Sequence, residues 1–192
     1  MYQKRNRELE IVSLYLGDYQ RQLYLREVNR LTNIPLKTTQ SLLISLEKSR
    51  IIKSSIIGKN KYFKLNLNNI QTKLYLIQSE VHNTFLFLDN YPHFNIFLKE
   101  IKSNNLLLVF GSFAKFTANK TSDLDLLIIH KKKEEIPTYL LPYQHHQIKL
   151  SEVSFIKSLE KQDTLIKEIE EKHIILNNHS FYVNIMWDHY AK

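Results

Sequence analysis

The stretch LLLVFGSFAKFTANKTSDLDLLIIH, residues 106–130, decides the fold. It opens with Leu106-Leu107-Leu108-Val109-Phe110, the composition of a strand buried on both faces. Gly111-Ser112 interrupts the run, and residues 113–119 have the composition for one or two helical turns. Ser122-Asp123-Leu124-Asp125 then leads into Leu126-Leu127-Ile128-Ile129, polar first and apolar after, as a strand does when it enters a core. Residues two apart on a strand share a face, so Asp123 and Asp125 point one way and Leu124 and Leu126 the other.

Two neighbouring carboxylates at the mouth of an apolar sheet repel each other. A divalent cation relieves that repulsion, and oxygen donors suit Mg2+ or Mn2+. A Gly-Ser pair at a strand-to-helix junction offers backbone N–H groups and a hydroxyl to an anion. A phosphate site beside a metal site predicts a pocket for a nucleoside triphosphate.

This arrangement resembles the nucleotidyltransferase superfamily related to DNA polymerase beta, and within it the minimal nucleotidyltransferases. The resemblance rests on the hydrophobic strand, Gly111-Ser112, the short helix and Asp123-Leu124-Asp125 preceded by Ser122, and it spans about residues 92–192. It implies that Asp123 and Asp125 are catalytic and hold Mg2+ or Mn2+. It implies that Gly111, Ser112, Lys115 and Ser122 bind the nucleotide, with ATP the expected triphosphate. A nucleoside monophosphate would pass to an acceptor, a partner protein being one expectation, since small members often act as antitoxins that modify a toxin.

Two departures stand against the family pattern. The resemblance implies a third carboxylate on the next strand, yet residues 143–151 contain no acid and offer His145, His146, Gln147 and Lys149 instead. Either histidine is a candidate to stand in as ligand or base. Many relatives have Ala-Arg-Gly after Gly-Ser where this chain has Ala114-Lys115-Phe116. Lys115 keeps a charge but not the bidentate fork of arginine. A second reading is therefore a DNA-binding regulator whose nucleotidyltransferase-like domain binds nucleotide with weak turnover or none.

The net charge of +8 is unevenly placed: residues 1–68 hold thirteen Lys/Arg against five Asp/Glu, and the remainder holds fourteen of each. That asymmetry predicts a nucleic-acid-binding module joined to an electrically balanced one. Apolar residues at helical spacing predict helices over about 6–16, 25–31 and 35–49, the last with Thr39, Leu43 and Leu46 inward. Alternation around Gly58-Lys59-Asn60 predicts a β-hairpin within 51–67. Three helices and a basic hairpin resemble a winged helix-turn-helix domain, which implies binding of duplex DNA. Lys37, Thr38, Gln40 and Ser41 on the third helix would read bases, and Lys59 and Lys61 on the wing would meet phosphates.

The expected fold class is therefore α+β in three parts: a winged helix over 1–68, a connector helix over 69–91, and an α/β domain with a small mixed sheet over 92–192. The apolar stripe Ile70, Leu74, Ile77, Val81, Phe85 and Leu88 suits either intramolecular packing or a homodimer seam. Phe94, Phe97, Leu98 and Ile101 predict a short helix against the sheet. The Lys131-Lys132-Lys133 run predicts a solvated loop, and 134–141 a partly helical segment. A third strand at 145–150, helices at 152–159 and 163–172, and a terminal hairpin over 174–183 complete the reading, with Trp187 covering an apolar edge. The chain has no cysteine, which excludes disulfides and zinc–thiolate sites. It has no apolar run long enough to cross a bilayer and no apolar leader after Met1, so the expected location is cytoplasmic.

Overall fold

The computed structural model describes residues 6–130 and 136–191. The lysine run Lys131-Lys132-Lys133 and residues 134–135 lie outside the described residues. The chain divides into two compact units, Met1–Ser79 with Met186–Lys192, and Glu80–Ile185.

The first unit begins with α1 (Arg7–Ser13), capped by Asn6, whose side chain accepts from the Leu9 N–H. A two-residue strand β1 (Leu23–Tyr24) precedes α2 (Leu25–Thr32). Asn33 turns the chain at φ 54°, and α3 (Leu36–Lys48) starts just after Pro35. The turn is pinned at Ile34, whose carbonyl accepts from Asn29 Nδ2 at 2.6 Å and from Thr39 Oγ1 at 3.0 Å. The hairpin follows as β2 (Ile52–Ile57) and β3 (Asn60–Leu65), and Gly58 supplies the left-handed turn residue at φ 61°. The sheet order is β1-β3-β2, with both pairings antiparallel. Thr39, Leu43 and Leu46 are buried as expected, together with Val12, Tyr15, Leu23, Val28, Ile52, Phe63 and Leu65. Strand β1 was not anticipated, because two residues are too few to show a period.

The long helix α4 (Ile70–Asn90) belongs to the first unit as far as Ser79 and to the second from Glu80. The second unit continues with α5 (Phe94–Glu100), β4 (Leu106–Phe110), the single turn α6 (Gly111–Ala114) and β5 (Leu124–His130). A 3-10 turn (Thr138–Leu140), β6 (His145–Ser151), α7 (Glu152–Lys161), α8 (Thr164–Glu171), β7 (Ile174–Asn177) and α9 (His179–Tyr190) as far as Ile185 complete it, and α9 belongs to the first unit from Met186. Its sheet has the order β6-β5-β4-β7 and is mixed: β5 and β6 run parallel, the other pairs antiparallel. One face carries Leu107, Val109, Leu124, Leu126, Ile128 and Ile174, covered by Phe87, Phe94, Phe97 and Phe113. The opposite face carries Leu106, Leu108, Leu127, Ile129 and Ile175, all buried, and α7 packs against β5. Both faces are covered, and so these strands read as unbroken apolar runs.

Three expectations need correction. The helical turn after Gly111-Ser112 covers Gly111–Ala114 rather than 113–119, because the chain enters the left-handed region at Phe116, φ 59°. Of the segment 134–141, only Thr138–Leu140 is helical among the described residues. The terminal hairpin is also absent: β7 is a strand, but Asn178 at φ 65° ends it and α9 follows. Phe181, Tyr182 and Val183 favour strands individually, but burial falls on Tyr182, Val183, Ile185 and Met186, a helical spacing that tertiary packing rewards.

Candidate functional site

The site lies where β4 ends and β5 begins. In the antiparallel β4–β5 ladder Phe110 pairs with Asp125, which brings Gly111 beside that aspartate. Gly111 is buried and has φ 66°, and a Cβ built on it would collide with Asp125 Oδ2. The glycine thus lets the backbone close on the carboxylate and adopt a conformation other residues resist.

Asp125 is half-buried, whereas Asp123, just before β5, is exposed. Burial holds the Asp125 carboxyl above the usual carboxylate range; His146 opposes this and Asp123 reinforces it. The three side chains therefore share one electrostatic neighbourhood. The parallel β5–β6 ladder explains the third member, since it pairs Asp125 with His146. The Leu124 N–H donates to the Gln144 carbonyl at 2.8 Å and fixes the same end of β6 beside the acidic pair. His145 falls on the other side of the strand, with Nδ1 3.2 Å from the Tyr143 carbonyl. Among the described residues no three His, Asp or Glu side chains stand gathered at metal-ligating spacing.

The other predicted residues take varied places. Ser112 is half-buried in the first turn of α6, and its carbonyl accepts from the Thr117 N–H at 3.0 Å. Ser122 Oγ accepts from the Asn119 N–H at 2.9 Å, so this hydroxyl shapes the loop that delivers Asp123. Lys115 is exposed and forms an ion pair with Glu171, Nζ to Oε2 2.9 Å. Phe116 occupies a left-handed position, φ 59°, and its ring stacks on Tyr91 at 6.2 Å.

In the first unit, Lys37, Gln40 and Ser41 are exposed on α3 and Thr38 is half-buried. Ser41 Oγ donates to the Lys37 carbonyl at 3.1 Å. Gln40, Lys59 and Lys61 line a groove of about 690 Å³ with Tyr24, Arg26 and Ile44. Lys59 is exposed in the β2–β3 turn, but Lys61 is tied back: its Nζ lies 2.7 Å from Glu47 Oε2. Glu47 also accepts from Ser54 Oγ, and these two bonds hold its carboxyl below the usual range.

Sequence reasoning could not choose between His145 and His146, because the choice depends on the register of a parallel pairing. It also missed Glu47 and Arg26, whose positions depend on how the β2–β3 hairpin folds against the helices.

Residues 95–181 match the family model described as polymerase beta, nucleotidyltransferase. The match contains α5 from its second residue and every strand of the mixed sheet, with Gly111-Ser112 and both aspartates inside it. This region is therefore similar to the nucleotidyltransferase domains of that family, and the similarity supports nucleotidyl transfer in general. No curated protein and no solved structure matches the chain. No helix among the described residues is long and apolar enough to cross a membrane.

Proposed function

We propose that this chain is a nucleotidyltransferase with a DNA-binding winged helix, moving a nucleoside monophosphate from a triphosphate, ATP first among the expected substrates, to an acceptor. The observation that carries this reading is the seating of Gly111 against Asp125 at the end of β4, with Asp123 beside it. The donor set fits a hard divalent ion: two carboxylates repel each other, and the inner one resists ionisation through burial. When bound, Mg2+ or Mn2+ would neutralise charge on the phosphates and position them for in-line displacement. Asp123 and Asp125 would hold that ion. Ser112 and the N–H groups of the α6 turn would hold the terminal phosphates. Lys115 would contribute once released from Glu171. A hydroxyl of the acceptor, a partner protein being the expected class, would attack the α-phosphorus and lose its proton to solvent, while the α–β phosphoanhydride bond breaks and pyrophosphate leaves. Incubating the full chain with labelled nucleoside triphosphates, Mg2+ and lysate tests this; a labelled product that disappears with Asp125→Asn supports it, and no product from any nucleotide contradicts it.

One observation favours the second reading, a DNA-binding regulator that binds nucleotide without turning it over. Residues 143–151, which include all of β6, carry no carboxylate to face the aspartate pair. Nucleotide binding that depends on Asp123, without any transfer product, would select that reading.

A further inference from the structure

We propose that the face of the β2–β3 hairpin turned away from α3 binds single-stranded nucleic acid, with a phosphate held between Lys53 and Lys64 and a base on Tyr62. The antiparallel ladder pairs Lys53 with Lys64 and Ser55 with Tyr62, so all four project to one face of the sheet. The other face is turned to α3: its Ser54 and Lys61 bond Glu47, and its Phe63 is buried. The proposal is thus independent of the reading of α3 as a duplex-binding helix.

Like charges directly opposite each other weaken a sheet, and among the described residues no carboxylate pairs with either lysine. An anion seated between them relieves the repulsion. The surroundings suit a phosphate. Both lysines line a concavity of about 330 Å³ with Gln20, Gln22 and Asn68, whose exposed amides can donate to phosphate oxygens, and no Asp or Glu is among its described lining residues. Tyr62 is half-buried and held edge-on against Tyr24, ring centroids 5.8 Å apart. It stands two residues along β3 from Lys64, about 7 Å, within the reach of one nucleotide. A cationic groove beside an aromatic ring grips single strands, because every unpaired base has a face to stack. A duplex keeps its bases stacked on one another and has none to give Tyr62.

Fluorescence anisotropy of the full chain with a labelled single-stranded oligothymidylate, at several salt concentrations, tests this. Changing Lys53 and Lys64 together to Gln should weaken binding about ten-fold and lower the salt slope by about 0.7, one phosphate's share. The melting temperature should hold or rise, because a like-charge pair is removed. Tyr62→Leu should also weaken binding about ten-fold, with the salt slope unchanged. Affinity for a duplex of the same length should stay near native in both variants. Native affinity and slope in the double lysine variant overturn the proposal. So does an equal loss of duplex binding, which assigns the lysines to duplex DNA. Loss in the lysine variant with Tyr62→Leu unaffected overturns it too, leaving a site for phosphate alone.

Discussion

A methyl group on Gly111 would drive into the carboxylate of Asp125, and the backbone there, at φ 66°, is costly for any residue with a side chain. Gly111→Ala should therefore destabilise the protein by about 1–3 kcal/mol and displace Asp125, measured by thermal melting and by loss of metal binding. Asp125 itself is a liability to the fold. Its carboxyl is harder to ionise when folded than when unfolded, because burial penalises the charge, Asp123 adds to the penalty and His146 offsets part of it. A carboxylate with a raised folded pKa costs nothing below the unfolded pKa; the cost appears as pH rises through that value and on to the folded one. Asp125→Asn should consequently raise the melting temperature at neutral pH, with the gain shrinking as pH falls toward about 4. Adding a divalent ion should stabilise the native protein and not the variant. A melting temperature that falls at neutral pH in Asp125→Asn would show that the carboxylate is structural.

At the scale of elements, α2, α3 and the strands β4, β5 and β6 were legible before folding; α4 was legible as a helix, but its expected stripe was not, since Ile70, Leu74 and Phe85 are exposed and the buried side carries Leu76, Ser79, Glu80 and Phe87. The Asp123–Asp125 pair was legible because strand alternation is local. What depended on remote partners was not. The reason for Gly111 became clear only once β4 was paired with β5, since the group its backbone approaches is a protein carboxylate. The final segment was misread because its β-formers lie on a helix whose burial is set by the rest of the fold. The buried ionic cluster at the start of β7 was equally invisible. Glu80 on α4 is fully buried, and its Oε1 lies 3.1 Å from His173 Nε2. His173 Nδ1 lies 2.7 Å from the Ile169 carbonyl and donates to it, so the ring is held between that carbonyl and the Glu80 carboxyl. Burial pulls Lys172 and His179 below their ordinary pKa values, and Glu80 opposes both shifts. Glu80→Ala should cost about 2–3 kcal/mol by leaving the buried His173 imidazole without its partner. Glu80→Gln, which can still hydrogen-bond His173, should cost about 1 kcal/mol. Equal losses for the two variants on thermal unfolding would contradict this account.

For the whole molecule, the excess of positive charge over residues 1–68 is the argument for nucleic acid. Affinity for duplex DNA should fall steeply with salt as counterions are released. Lys59, exposed in the β2–β3 turn, should reduce the salt slope by about one when changed to alanine, uniformly across sequences. Lys61 should matter less, because Glu47 already neutralises it, and Glu47→Gln should strengthen binding by freeing that lysine. Gln40→Ala should instead change sequence preference. Band-shift titrations of the full chain at several salt concentrations measure all of these effects, and salt-independent or absent binding would remove the regulatory role. The central claim concerns the second unit, and calorimetry addresses it most directly: ATP, GTP, CTP and UTP titrated with Mg2+ into the native chain and into Asp123→Asn. The account predicts magnesium-dependent heat for at least one nucleotide in the native protein and its loss in the variant, with the melting temperature preserved. Equal heats in the two proteins, or none in the native one, would contradict it.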